Sequence, residues 1–201
     1  MNALFAVTTV AAIAAVPGWA PSTVRAMRLR RRLQTDALTG LSNRDALACA
    51  FRRTGGEVGL LLLDVDRFKQ INDTYGHRVG DKLLMALASR LRRAAREGEV
   101  VIRLHGDEFV VWLGNITTAH AARRADEVAS AIARPLVVAG DELVVTASVG
   151  HATGTTSLAD LLHDADEAMY AAKRARAAVT GLPVAPRLRL RDKGVRHEQS
   201  A

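Results

Sequence analysis

The sequence predicts a mixed α/β (α+β) domain: a central, mostly antiparallel sheet wrapped by helices, preceded by an N-terminal apolar helix. Three observations predict it. Leu60-Leu61-Leu62-Leu63 is an unbroken apolar run that stops at Asp64 and Asp66, the pattern of a buried strand delivering carboxylates to a sheet edge. Residues 100–104 and 107–113 are apolar runs on either side of His105-Gly106, which reads as a tight hairpin with Asp107 and Glu108 just past the turn. Leu83, Leu84, Leu87 and Leu91, and later Leu158, Leu161, Leu162, Ala165, Met169 and Ala172, recur at helical spacing.

In chain order, residues 1–24 contain no charged side chain and run into Arg25, Arg28, Arg30, Arg31 and Arg32. About 20 apolar residues can cross a bilayer, and basic residues favour its cytoplasmic side. The segment therefore reads as a membrane anchor with the remainder of the chain in the cytoplasm. A cleaved signal peptide or a peripheral segment is the alternative. Residues 25–35 form a basic helical connector. Residues 36–44 are turn-rich, and Ser42 or Asn43 can cap a helix running to about Arg53. Thr54-Gly55-Gly56 breaks it before the strand at residues 58–64, after which Asp66 can cap a short helix through Phe68 and Ile71.

Tyr75-Gly76-His77 turns the chain, and Gly80 opens the leucine-striped helix. After the hairpin, residues 118–133 read as a helix with Ala122, Ala125, Val128, Ala129 and Ile132 inward. Residues 136–138 and 143–151 read as a second strand pair around Ala139-Gly140-Asp141, and Ser157 caps the last helix. The domain spans residues 36–180, and residues 181–201 are a basic tail without periodicity.

Composition narrows the function. With 201 residues, 49% of them hydrophobic, the chain builds one substantial core with extensions. The net charge of +7 lies largely in the basic connector and in the tail from Arg187 to Arg196. With only 4% aromatics, it lacks the basic face interleaved with stacking residues that a nucleic-acid binder carries, so no nucleic-acid partner is expected. The pairs Arg52-Arg53, Arg92-Arg93 and Arg123-Arg124 fall on polar helix sides. One cysteine, Cys49, excludes an internal disulfide and a Cys-based metal site; its apolar helical setting reads as a buried structural thiol.

The chemistry lies where the first strand meets the hairpin. Bringing them together puts Asp64 beside Asp107 and Glu108, three carboxylates with no compensating Arg or Lys among them. Such a cluster calls for a cation. Mg²⁺ or Mn²⁺ suits it, because both prefer oxygen ligands and accompany phosphates.

Four stretches carry a family resemblance: Asp36-x-Leu38-Thr39-Gly40-Leu41-x-Asn43-Arg44, Asp64-Val65-Asp66-x-Phe68-Lys69-x-Ile71-Asn72-Asp73, Gly76-His77 with Gly80-Asp81, and Arg103-x-His105-Gly106-Asp107-Glu108-Phe109. They occur in the order and spacing of the GGDEF family, and Ala168-Met169-Tyr170-Ala171-Ala172-Lys173 resembles its C-terminal helix. The resemblance covers about residues 36–178. It implies a GGDEF/palm-like nucleotidyl cyclase fold and a diguanylate cyclase, which condenses two GTP into cyclic di-GMP and two pyrophosphates across a homodimer of half-sites.

By that resemblance Asp64, the Val65 carbonyl and Asp107 bind two divalent ions per half-site, Mg²⁺ or Mn²⁺, and Glu108 completes the acidic centre. Metals about 3.5–4 Å apart can clamp both oxygens of an in-line displacement, here attack of a 3′-hydroxyl on an α-phosphate. Asp107 matches the position of the proton acceptor. Lys69 and Lys173 match phosphate contacts, and Gly106 lets phosphate approach bare backbone. Asn72 and Asp81 match guanine contacts, a carboxylate being the natural partner of guanine's N1–H and 2-amino donors. His77 matches a further substrate contact.

Read without the resemblance, Asp81 can cap a helix, Lys69 and Lys173 can be surface lysines, and His77 a local hydrogen-bonder. Asp66 reads as a cap rather than a ligand.

The chain departs from the pattern at three places. His105 stands where the first signature glycine would be. Ala177 replaces the phosphate-binding arginine, with Arg176 one position earlier and about 100° round the helix. The inhibitory product site reads Arg96-Glu97-Gly98-Glu99, with its charge signs kept but a different reach, so feedback inhibition is expected to be weak. The alternative to a working cyclase is a degenerate GGDEF domain that binds GTP or a partner without turnover. A polymerase-like or adenylyl cyclase fits less well with Asp81.

Overall fold

The computed structural model describes residues 34–180. Its elements run α1 (Arg44–Arg53), β1 (Val58–Val65), α2 (Phe68–Tyr75), α3 (His77–Ala94), β2 (Val100–His105), β3 (Glu108–Asn115), α4 (Thr118–Ile132), β4 (Leu136–Val138), β5 (Asp141–Leu143), β6 (Ala147–Gly154) and α5 (Leu158–Thr180). The segment predicted as an anchor at residues 1–24, most of the predicted basic connector and the predicted tail at residues 181–201 lie outside the described residues. Among the described residues no helix is long and apolar enough to cross a membrane.

Four strands form one sheet in the order β2-β3-β1-β6, and β4 with β5 forms a separate two-stranded hairpin. Both neighbours of β1 run antiparallel to it, so the leucine run is the centre of the sheet. That is why it is apolar at every position rather than alternating. Leu61, Leu63 and Val65 face the core with Leu83, Leu84, Leu87 and Leu91 of α3 and Ala121, Ala125, Val128 and Ile132 of α4. Leu60 and Leu62 point the other way, into Leu47 of α1 and Leu161, Leu162, Ala165 and Met169 of α5. Each buried leucine stabilises the fold by about 1.5–3 kcal/mol, which pins β1 by both faces. The α5 backbone lies directly on β6: a Cβ at Gly150 would overlap Ala165 O and Met169 N.

Several predicted boundaries move. Asn43 is the N-cap of α1, accepting from Asp45 N and Ala46 N, and Ser157 caps α5 in a reciprocal pair with Asp160. Asp66 caps nothing: Arg67 stands at the N-cap of α2, in the left-handed region with φ 58° and without a side-chain cap. The leucine-striped helix starts at His77, one turn before Gly80.

The hairpin turn sits one residue later than predicted, because His105 pairs with Glu108 as the last residue of β2 and Gly106 takes the positive φ of 50°. The stretch 143–151 is not one strand; β5 ends at Leu143 and β6 begins at Ala147 in the main sheet.

The inner face of α4 carries Ala121, Arg124, Ala125, Val128 and Ile132, so Arg124 is buried rather than on a solvated side. Arg52, Arg53, Arg92, Arg93 and Arg123 are exposed. Cys49 is half-buried, with a free thiol.

Candidate active site

Register places the acids. Asp64, next to last in β1, stands opposite Glu108 on β3 and Ser148 on β6. The hairpin tip is tied down by Val65 N donating to Asp107 O at 3.3 Å. Arg103 fixes the same turn from outside: its Nε donates to Gly106 O at 2.9 Å, and its Nη1 lies 3.0 Å from Asp36 Oδ1. Asp36 also accepts from Thr39 N and Oγ1. Burial works against the Asp36 carboxylate, but the Thr39 and Arg103 hydrogen bonds outweigh it and hold the group below its ordinary value. The Asp36 and Arg103 motifs therefore meet at the hairpin, a joining role that their sequence positions did not reveal.

The resulting cluster is unbalanced. Asp107 is pushed up to about 6, first by burial and then by the charge of Asp64; Glu108 adds to the effect and Lys173 opposes it. Glu108 is 6% exposed, and His105 Nε2 lies 3.2 Å from its Oε2. Lys173 reaches in from α5, its Nζ 2.6 Å from Asp64 Oδ1. Burial alone would lower the Lys173 ammonium, but the hydrogen bond and charge of Asp64, with Asp66 and Asp107, raise it.

Asp66 is committed elsewhere. Ser148 Oγ donates to its Oδ1 at 2.7 Å, while Thr146 Oγ1 and Arg176 Nη1 donate to its Oδ2 at 2.5 and 2.7 Å. Arg176, at the position before Ala177, also donates to Ala147 O, so its guanidinium is engaged at the sheet.

A second group of candidates forms where α2 meets α3. Asn72 on α2 packs against Gly80 of α3, where a Cβ would overlap Asn72 Oδ1. That amide oxygen is buried and has no hydrogen-bond partner among the described residues. Glycine at position 80 is thus what admits Asn72, a dependence the sequence reading missed. His77 opens α3 after Gly76, and Asp81 follows one turn on; both are exposed, as is Lys69 in the first turn of α2. The structure thus gathers Asp64, Asp107, Glu108 and Lys173 at one sheet end, with Val65 buried beside them. Asn72, His77 and Asp81 are on the adjoining helix pair.

Residues 33–178 match the family model for the diguanylate cyclase GGDEF domain. The chain belongs to the GGDEF domain family. It is 37% identical over 156 residues to the diguanylate cyclase DgcP of Pseudomonas aeruginosa, which is 73% of this chain and 23% of that protein. It is 34% identical over 156 residues to the diguanylate cyclase DosC of Escherichia coli, 72% of this chain and 34% of that protein. The chain thus spans about a quarter to a third of the length of these curated relatives. Among solved structures it resembles the P. aeruginosa diguanylate cyclase SiaD in complex with its activator SiaC, with a TM-score of 0.73 and 30% identity, covering 86% of this chain and 70% of that one.

Diguanylate cyclases of the GGDEF family generally use divalent metal ions. In this GGDEF domain the donor chemistry fits: the groups are hard oxygens, and the raised Asp107 marks negative charge that a dication would relieve. Among the described residues no group of three His, Cys, Asp or Glu side chains is arranged to hold a metal in this conformation, and Lys173 serves as the counter-ion of Asp64.

Proposed function

We propose that the chain is a diguanylate cyclase that condenses two GTP into cyclic di-GMP and two pyrophosphates, active as a homodimer whose half-sites face each other. The observation that carries this reading is the acidic centre at the end of β1, where strand pairing sets Asp64 opposite Glu108 and the hairpin tip brings in Asp107, a group that burial and the Asp64 charge raise to about 6. An ion cluster that only braced the fold would be internally neutralised; this one is poised to accept positive charge.

Asp64, the Val65 carbonyl and Asp107 are the groups that would hold two Mg²⁺ or Mn²⁺ ions, with Glu108 beside them. When bound, the ions supply charge neutralisation at the α-phosphate and a lowered hydroxyl pKa. The chain's own residues do the rest. Asn72 and Asp81 bind the guanine edge, and Gly80 keeps Asn72 in place. His77 lies at the same helix junction for a further contact with the nucleotide. Lys69 and Lys173 face the phosphates, Lys173 exchanging Asp64 for the triphosphate. Gly106 offers bare backbone at the hairpin tip. Asp107, at the family's proton-acceptor position, would take the proton from the attacking 3′-oxygen, whose pKa the bound ions would lower.

His105 does not strain the turn, since Gly106 takes the positive φ; its effect is confined to the imidazole beside Glu108. Arg96 meets Glu127 in an exposed pair, and Glu99 is buried against Arg124, which turns its carboxylate away from a ligand. This favours weak product inhibition. Residues 1–24 would carry the chain to the membrane with the domain on the cytoplasmic side.

A degenerate, GTP-binding domain without turnover is the second reading. It is favoured by the imidazole 3.2 Å from Glu108 and by the engagement of Arg176 at Asp66.

The test incubates the full chain with GTP and Mg²⁺ or Mn²⁺ at concentrations that force dimers, and resolves the products by chromatography. Cyclic di-GMP from the parent is expected, reduced at least about a hundredfold in Asp107→Ala. Product from His105→Gly but not from the parent would make this a silenced cyclase. Silence from both in GTP-loaded dimers would sink the enzyme reading.

A further inference from the structure

The hydrophobic stripe of α5 stops early. Its last buried side chain is Met169, and residues 171–178 are half-buried or exposed. Beyond that point two charged contacts hold the helix against the sheet. Lys173 reaches Asp64, and one turn on Arg176 reaches Asp66.

The spacings are compatible. Three residues of helix advance about 4.5 Å and two extended residues about 6.6 Å, a difference that long side chains bridge, so the two cations of α5 meet Asp64 in β1 and Asp66 just past its end. Asp66 is itself fixed from β6 by the Thr146 and Ser148 hydroxyls. Its side chain is 14% exposed, and both oxygens are engaged, Oδ1 by one donor and Oδ2 by two. Arg176 bonds at the same time to Asp66 and to Ala147 O, a two-point grip on the β1 end and the β6 start.

We propose that Asp66 and Arg176 form a positioning latch that keeps the last turns of α5 seated, so that Lys173 stays over the acidic centre. The inference rests on the proposed function. Lys173 must there release Asp64 to meet a triphosphate, and without a second fastening that release would free the end of the helix. The latch makes the exchange a side-chain movement. Arg176 is accordingly a positioning residue, and the phosphates are left to the lysines.

The test has one arm without nucleotide and one with it. In the full chain, lysine amines are labelled with an acetylating reagent and rates are read by mass spectrometry. Arg176→Met, at a 42% exposed side chain, and Asp66→Asn are expected to speed labelling of Lys173 about threefold or more by local opening. Lys82, exposed on α3, remains unchanged as an internal reference for reagent reactivity, and Arg176→Lys recovers part of the protection. An unchanged Lys173 rate in both variants overturns the latch, whatever the protein binds.

In the second arm, Arg176→Met is expected to weaken a non-hydrolysable GTP analogue with Mg²⁺ about tenfold while leaving guanosine affinity unchanged. Faster labelling with unaltered analogue affinity would reduce Arg176 to a structural fastening and overturn the positioning role. A parent that binds no analogue would instead remove the cyclase reading, with the labelling arm still deciding whether the latch exists.

Discussion

Two ionic clusters sit at opposite ends of the same sheet, and they differ in balance. In the first, Glu99, before β2, is gripped by Arg124 of α4 at 2.7 and 2.8 Å. Arg124 also donates to Ala94 O and lies 3.0 Å from Glu127. Burial there disfavours both charges, yet the pairing wins on each side: Glu99 is lowered and Arg124 is raised. In the second cluster, Asp64, Asp107 and Glu108 have Lys173 and, beside Glu108, the His105 imidazole, and Asp107 is still raised. The first cluster is finished and the second is waiting for something. Complete neutralisation marks a brace, and leftover charge marks a site.

The largest effect is expected on breaking the brace. Arg124→Met leaves Glu99, whose side chain is 7% exposed, buried without its partner. The expected loss is about 3–5 kcal/mol in chemical denaturation. The pH dependence has a definite sign. Glu99 is depressed in the folded state, so its stabilisation is complete above the ordinary value of 4.5 and is lost as pH falls through the lower folded value. A parent-minus-variant difference that stays flat through that acid range would show that the pair does not hold the fold.

The acidic centre should behave in the opposite way. Asp107→Asn removes a repelled carboxylate, so in metal-free protein at neutral pH it is expected to stabilise by on the order of 1 kcal/mol while abolishing turnover. Asp107 is raised from 3.8 to about 6, so the folded state binds the extra proton between those values. Parent stability therefore falls relative to the variant as pH rises through that window, and levels off above it. Denaturation in the presence of a chelator measures this. A destabilised Asn variant at neutral pH would make Asp107 part of the scaffold and erase the contrast.

The sequence makes the site easier to read than the brace, for physical reasons. A leucine run ending in acids has one structural meaning, so β1 and Asp64 could be placed directly. The hairpin was legible too, but not which residue would leave the strand region. His105-Gly106 fits either register, and only the pairing of His105 with Glu108 decides it. Arg124 was hidden because α4 is rich in alanine. Ala121, Ala122, Ala125 and Ala129 give little contrast between faces, and the stripe can rotate by one position without apolar cost. The break between β5 and β6 carries no glycine or proline; Val144, Val145 and Thr146 continue the apolar pattern while the chain changes sheets. Asp66 was read as a cap because nothing marks Arg67 as left-handed, a conformation uncommon outside glycine. The Lys173/Arg176 spacing facing Asp64/Asp66 was visible in the letters but acquires meaning only once α5 lies across the end of β1.

The smallest effect sharpens what a brace is. Arg96 contacts Glu127 as closely as Arg124 contacts Glu99, at 2.7 and 2.9 Å, but its side chain is 61% exposed and its partner's 47%. Water already solvates both charges, so the pair gains little from meeting. Arg96→Ala also keeps the backbone hydrogen bond from residue 96 to Glu99, and Glu127 keeps Arg124. The expected change in unfolding free energy is below about 0.5 kcal/mol. Burial, rather than contact distance, would then separate the two arginines. A loss above about 1.5 kcal/mol would mean that Arg96 orders Glu127 for Arg124, and that the four residues hold the α3–β2 connection to α4 as one cooperative unit.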